Sequence, residues 1–385
     1  MYPGISDLLN DLFGTHFSIH FPPTFGTLVA ISFLLAAWTL RKELIRKEKQ
    51  GLFKGAARTI VSGGPVSQSE VFWNFVFGLI IGSKIGFAIF NSTDFFNDPQ
   101  GAILSLKGNI PAGFILGAVS AFLKYKELKK TATATSEKKT VTMMPSELVS
   151  EFTMMAALGG MIGAKLFHLL EYWDDFIQDP IGLFFSGSGL TMYGGLIVGA
   201  LTVLWYARKN NIPLLHLCDA AAPGLMLAYG TGRIGCQLAG DGDWGIVNAT
   251  AAPKWLSFLP DWFWSFTYPH NVVNEGVMMT NCSGKYCYEL ALGVFPTPLY
   301  ESIACILLFF LLWKLRKHPA KPGQLFSLYL LFNGIERFGI ELIRVNSKYH
   351  LGSFAFTQAQ LISSLLIITG IGGWYYFKTN ANKAL

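Results

Sequence analysis

The chain has 385 residues and a formal net charge of +6, with 51% hydrophobic residues and only 14% charged ones. A soluble domain carries roughly a quarter charged residues to hydrate its exterior, so this composition excludes a secreted soluble enzyme, a disordered chain and a nucleic-acid-binding domain. Bulky Phe (32), Trp (10) and Tyr (14) with 40 Gly read instead as lipid-facing and close-packing surface, in an all-α, polytopic membrane helix bundle.

A helix needs ~20 mostly apolar residues to cross the hydrocarbon layer. In chain order the candidates are 24–40, 71–90, 110–123, 152–170, 189–207, 216–236, 298–313, 324–343 and 358–377, about nine transmembrane helices with 110–123 the shortest. Residues 1–23 carry no basic stretch before the first apolar run, and no small-residue cleavage site follows it, so they read as an outer N-terminal segment and not a signal peptide. Arg41, Lys42, Arg46, Lys47 and Lys49 follow that first run. Lys and Arg are retained on the cytoplasmic side, which predicts the N-terminus outside and the C-terminus inside. In this register inside segments hold 21 of the 30 Lys and Arg, and outside segments hold five.

An offset of 81 residues aligns Gly82 with Gly163, Lys84 with Lys165, Asp94 with Asp175, Asp98-Pro99 with Asp179-Pro180, Gly101 with Gly182 and Gly113 with Gly194. A helix–loop–helix hairpin at 71–123 is therefore read as a duplicate of the next one. Residues 124–145, rich in Lys, Thr and Ser, read as a cytoplasmic linker. In the second hairpin Lys165, His168 and Tyr172 share a face, and the chain returns through Gly189-Leu190-Thr191-Met192-Tyr193-Gly194-Gly195. Tyr193 there fits an interfacial aromatic belt equally well, and glycines spaced by four fit tight helix contacts.

Ionisable groups at membrane depth are costly and usually face a polar cavity. Arg233 sits in Gly230-Thr231-Gly232-Arg233-Ile234-Gly235, ahead of the outer loop Gly240-Asp241-Gly242-Asp243-Trp244-Gly245. Asn333, Arg337, Glu341 and Arg344 fall at i, i+4, i+8 and i+11, which predicts one helical stripe with a net positive face. A guanidinium fork suits two phosphate oxygens, so that stripe fits an anionic headgroup. A structural Arg337–Glu341 pair would give the same spacing. Cys218, Cys236 and Cys305 read as small apolar packing residues, while Cys282 and Cys287 in the outer segment 240–296 are as compatible with a disulfide as with free thiols. The cysteines lack the close His or Cys partners of a zinc site, and no metal is expected.

Taken together, the blocks Gly232-Arg233-Ile234-Gly235 and Gly240-Asp241-Gly242-Asp243-Trp244-Gly245 resemble the signature Gly-Arg-Ile/Leu-Gly-Asn-x-x-x-Gly-Glu-x-Trp-Gly of the bacterial prolipoprotein diacylglyceryl transferase family. Asp179-Pro180, Tyr193-Gly194-Gly195-Leu196, Pro296-Thr297-Pro298-Leu299-Tyr300-Glu301 and Arg337-x-x-x-Glu341-x-x-Arg344 follow in the family's order. The resemblance runs from about residue 150 to the C-terminus, with the first helix near Phe25-Gly26. There are departures. Cys236 stands for the signature Asn and Asp241 for its Glu, with one extra residue before Trp244. Tyr193 replaces a His, Asn333 and Phe25 replace Tyr, and Lys165 replaces an Arg.

The resemblance implies a seven-span core plus the duplicated hairpin, forming a transferase domain over 24–385 with its catalytic core at 152–345. It implies transfer of a diacylglyceryl group from phosphatidylglycerol to the lipobox cysteine thiol of a preprolipoprotein, in the bacterial inner membrane with the site toward the outer leaflet. No cofactor and no nucleic acid are implied; membrane lipid and signal sequences are the partners. By resemblance Arg233 and Arg337 stabilise the developing anion, Arg344 holds the headgroup and Glu341 fixes guanidinium geometry. Asp241 and Glu301 orient the arginines, and Tyr193 either relays a proton or hydrogen-bonds the lipid. Lys165, Gly194, Gly195, Asn333, Tyr300 and Cys236 complete the expected substrate-binding set, and the general base stays open. Two other classes stay open as well. One is a lipid-binding relative that has lost catalysis, suggested by Cys236, Asn333 and Phe25. The other is a transporter of an anionic solute, suggested by the duplication.

Overall fold

A computed structural model describes residues 1–17, 20–53, 55–63, 66–97, 102–103, 105–132, 136–185, 191–282, 284–318, 321–346, 348–351 and 354–379. In chain order the main helices are α1 (Ile5–Phe13), α2 (Thr24–Lys49), α3 (Gln68–Phe90), α4 (Ile110–Thr131), α5 (Val149–Glu171), α6 (Met192–Lys209), α7 (Leu214–Ala239), α8 (Thr297–Leu315), α9 (Gln324–Glu341) and α10 (Gln358–Thr379). Each of the nine apolar runs is a long helix. Among the described residues, five segments are long and apolar enough to cross a membrane: α2, α3, Pro145–Glu171, α8 and α10. Charged groups dilute α7 and α9, and basic ends dilute α4 (Lys129, Lys130) and α6 (Arg208, Lys209). Phe72, Trp73, Phe77, Ile80 and Ile81 on α3 are exposed, a surface suited to lipid. The chain is a helical membrane protein.

Contacts divide the chain into two compact units, Met1–Phe53 with Pro213–Leu385, and Lys54–Ile212. In the second unit, α3 with α4 and α5 with α6 form the two hairpins. The offset of 81 recurs in their bounds: Gln68–Phe90 corresponds to Val149–Glu171, and the short helix Ser92–Asn97 to Trp173–Gln178. Gly82 abuts Leu116, Gly86 abuts Ala112, and Gly163 abuts the backbone of Gly194, with no room for a Cβ at any of them. Helix association in lipid depends on such close approach. Lys84 Nζ donates to the carbonyl oxygens of Ala102 (2.8 Å), Lys107 (2.6 Å) and Ser105, which ties the first hairpin's loop to its helix. Asp98, Pro99 and Gly101 of the duplication, and Gly189 and Leu190 of the re-entry point, lie outside the described residues.

Within 124–145, expected as a linker, the described residues include helix and strand. α4 continues to Thr131, and β2 (Ser136–Met143) pairs antiparallel with β1 (Ala56–Gly63), from Ala56 opposite Met143 to Gly63 opposite Ser136. Thr140, Val141 and Thr142 favour a strand, but their partner lies some eighty residues earlier and leaves no local signal.

In the first unit, Ala222 and Met226 of α7, Cys305, Phe309 and Leu312 of α8, and Leu325 of α9 form the core. Gly230 meets α8 at Cys305 and Ser302, and Gly235 meets α2 at Leu28 and Phe25, so these two of the three glycines around Arg233 serve helix packing. Asp219 of α7 accepts the backbone N–H groups of Gly323 (2.8 Å) and Phe326 (2.9 Å), which satisfies orphan donors at the start of α9. The segment 240–296 folds around Trp244, Tyr268, Leu290 and Val294. Cys282 and Cys287 form a disulfide, beside the two-residue pairing of β3 (Val277–Met278) with β4 (Tyr288–Glu289). After α9, β5 (Lys348–Leu351) and β6 (Phe354–Thr357) make a hairpin into α10.

Candidate active site

Three arginines and three carboxylates meet where α7, α8 and the end of α9 approach the segment 240–296. Arg233 enters from the last two turns of α7, and is 7% exposed. Its Nε lies 2.5 Å from Glu301 Oε2, its Nη1 pairs with Asp243, and its guanidinium lies 5.4 Å from the ring centroid of Tyr229, one turn earlier. Arg337 Nη1 donates to Glu301 Oε1 at 2.8 Å, and its Nη2 lies 3.1 Å from Glu341 Oε2. Arg344 Nη2 pairs with Asp243, and its Nη1 lies 3.5 Å from Glu301 Oε1. Glu301, fully buried on the first turn of α8, thus touches all three guanidiniums.

Geometry changes three sequence expectations. The stripe was expected to continue to Arg344, yet α9 ends at Glu341, and Arg344 lies beyond it in a bridge with Gly245. Ile246 N–H donates to Ile343 O at 2.8 Å, so the outer loop, not the helix, sets Arg344. The net positive face is balanced, because Glu301 and Asp243 arrive from elsewhere in the chain. Finally, the residue holding Arg233 and Arg344 is Asp243, whereas the signature pointed to Asp241. Gly240 (φ +65°) and Gly242 (φ +95°) take left-handed conformations on either side of Asp241, which turns Asp243 inward. The hydroxyl of Thr297 donates to Asp243 O at 2.7 Å and steadies the turn. Asp241 Oδ1 instead accepts the Asp243 N–H at 3.4 Å. Burial first, then the neighbouring Asp243 charge, pushes the Asp241 carboxyl above the usual range.

Cys236 is buried beside the arginine, with Arg233 Nη1 3.7 Å from its Sγ. Cys236, Asp241 and Asp243 bring possible ligand atoms within 4.8 Å of one another, but Asp243 commits its two oxygens to guanidiniums, which does not suit a cation. Tyr300 directs its hydroxyl to Phe263 O at 2.7 Å, a positioning contact with the outer segment. Asn333 is half-buried on α9, one turn before Arg337. Glu341 also accepts from Asn346 Nδ2 at 2.6 Å.

Lys165, Tyr193, Gly194 and Gly195 belong to the second unit. Tyr193 is half-buried in the first turn of α6, and Gly194 and Gly195 face Gly163 and Gly160 of α5. That is the helix-packing alternative. Their roles toward substrate rest on the sequence resemblance. Sequence reasoning missed Asp243, Tyr229 and Glu336. Tyr229 had a usable signal, an aromatic four residues before Arg233. Glu336 lies one residue off the stripe that drew attention to α9.

A guanidinium carries five N–H donors, and the six pairs described use only part of that supply. The site can therefore receive phosphate oxygens while the carboxylates keep the forks oriented, in a setting where preorganised charge is worth more than in water.

The family described as prolipoprotein diacylglyceryl transferase matches residues 110–376. A phosphatidylglycerol–prolipoprotein diacylglyceryl transferase of Clostridium tetani is 32% identical over 224 residues, 58% of this chain and 78% of its own length. One from Shouchella clausii is 28% identical over 236 residues, covering 60% of this chain and 76% of its own. One from Dehalococcoides mccartyi is 30% identical over 234 residues, covering 60% and 77%. The matched stretch contains every arginine and carboxylate of the cluster, and the chain belongs to the prolipoprotein diacylglyceryl transferase family.

Proposed function

We propose that the protein transfers the diacylglyceryl group of phosphatidylglycerol to the lipobox cysteine thiol of preprolipoproteins, in the bacterial inner membrane and on its outer-leaflet side. The observation that carries this reading is the buried set of three guanidiniums converging on Glu301 and Asp243. In the reaction a thiolate sulfur attacks the glyceryl carbon attached to phosphate. The carbon–oxygen bond breaks, its electron pair leaves with the phosphate oxygen, and glycerol phosphate departs as an anion. Arg233 and Arg337 oppose that developing charge, and Arg344 holds the headgroup. Glu301 orients all three, Asp243 orients Arg233 and Arg344, and Glu341 orients Arg337. Nine spans, with the N-terminus outside, put the segment 240–296 and this cluster near the outer leaflet, within sideways reach of lipid.

The test uses the full-length protein in vesicles of headgroup-labelled phosphatidylglycerol with a lipobox peptide. Thioether product with an equal amount of released glycerol phosphate supports transfer. Lipid binding without product would instead mark a non-catalytic relative, and neither would overturn the reading.

A further inference from the structure

Every carboxylate of the cluster that touches an arginine is committed to it, but one acid beside them is not. Glu336 precedes Arg337 on α9. Both its carboxylate oxygens are buried, and neither has a hydrogen-bond partner among the described residues. It lines a groove of about 460 Å³ between α8 and α9, with Tyr300, Ala304, Leu308, Phe332, Ile335 and Ile340. Apart from the hydroxyl of Tyr300, which is engaged with Phe263 O, those neighbours offer a carboxylate only apolar surface.

An unpaired ionisable group at membrane depth is costly, and its presence there marks function more often than packing. Glu336 nevertheless adjoins the arginine cluster: it is the chain neighbour of Arg337 on α9, and its groove is shared with Tyr300, the neighbour of Glu301 on α8. One residue is about 100° around a helix, so Glu336 and Arg337 project from different sides of α9. That separation lets a nucleophile enter on the side away from a phosphate held by Arg337.

Resting on the transfer reading above, we infer that Glu336 is the base that takes the proton from the acceptor thiol. The S–H bond breaks, its proton passes to a Glu336 oxygen, and the sulfur's electron pair forms the carbon–sulfur bond as the carbon–oxygen bond to phosphate breaks. Glu301, Asp243 and Glu341 keep their guanidiniums and exchange no proton. Glu336 returns its proton to water after product leaves.

The titratable and charged groups facing Glu336 are Glu301, Tyr300 and Cys305 from α8, Tyr229 and Arg233 from α7, and Arg337 and Arg344. Glu336→Gln keeps the shape and removes the basicity. In vesicles of labelled phosphatidylglycerol with a lipobox peptide, kcat at neutral pH should fall by about 10²-fold or more, the usual share of a general base. Labelled phosphatidylglycerol binding should remain within about twofold of wild type. The deficit should shrink as pH rises toward the thiol's own pKa of ~8.5. It should also shrink with a selenocysteine acceptor, which ionises without help. Wild-type turnover by Glu336→Gln overturns the inference. So does a loss that neither pH nor selenocysteine restores, or one accompanied by lost lipid binding, since either would make Glu336 structural. A wild-type protein that forms no thioether at all refutes the transfer reading itself, and this inference with it.

Discussion

Glu301 is fully buried and bridges Arg233, Arg337 and Arg344. Removing one partner of a buried charge network leaves the others unpaired, at a cost of about 3–5 kcal/mol. Glu301→Ala should therefore lower both the melting temperature and transfer. Arg233→Lys and Arg337→Lys should insert normally yet lose about 10²-fold in rate, because a point charge cannot replace a planar fork. Near-normal rates in either lysine variant, at equal protein level, would remove the role assigned to the fork. Asp243→Asn should impair transfer far more than Asp241→Asn, because only Asp243 pairs with the guanidiniums. The Asp241 carboxyl is raised by burial, so the folded state holds its proton to higher pH than the unfolded chain does. Stability from this group is thus present at low pH and lost as pH climbs from the usual Asp value near ~3.9 through the raised one. Asp241→Asn should flatten that fall in thermal melts, and a steeper fall would contradict the burial argument. The arginines were legible because a cation in an apolar run is rare. Asp243 was not, because two left-handed glycines decide which of two neighbouring aspartates faces inward.

At the scale of elements, the helices were legible from their apolar runs, and their ends were less so. α9 stops at Glu341 because the chain turns to pair Arg344 with Gly245, a long-range contact that helical spacing cannot anticipate. The β1–β2 ribbon escaped for the same reason. The first long helix and the short helix of the two hairpins share bounds at a constant offset, but the family resemblance involves Tyr193-Gly194-Gly195 of the second. Lys84 holds the carbonyl oxygens of its own loop, which is a structural duty. Lys84→Ala should therefore loosen the first hairpin, seen as faster proteolysis near residue 105, while transfer stays within about threefold, the usual spread for changes away from special sites (~0.5 kcal/mol). Lys165→Ala should reduce transfer more than Lys84→Ala does. Equal losses at equal protein level would bring the first hairpin into the site. Tyr193→Phe should keep measurable transfer, as expected of a hydroxyl that positions lipid; complete loss would make the phenol a proton carrier.

For the whole molecule, composition alone pointed to a membrane protein, and the expected orientation rests on the clustering of Lys and Arg. Among the described residues five helices meet the length and apolarity needed to cross, while α7 and α9 carry the charged site and α4 and α6 end in basic residues. Nine crossings with the N-terminus outside predict a simple labelling pattern. In a background with the native cysteines replaced, Phe258→Cys in the outer segment should react with a membrane-impermeant maleimide in intact cells. Lys129→Cys at the end of α4 should react only after the cells are opened. The reverse pattern would invert the topology.

The most direct test of the central claim, that the arginine cluster receives the phosphate of the lipid donor, is the mass of a lipobox peptide incubated with wild-type and Arg337→Ala protein in phosphatidylglycerol vesicles. Wild type should add one diacylglyceryl group per cysteine. Arg337→Ala, inserted at the same level, should leave the peptide at its starting mass and bind labelled phosphatidylglycerol more weakly. An unmodified peptide with wild type, or full modification by Arg337→Ala, would contradict it.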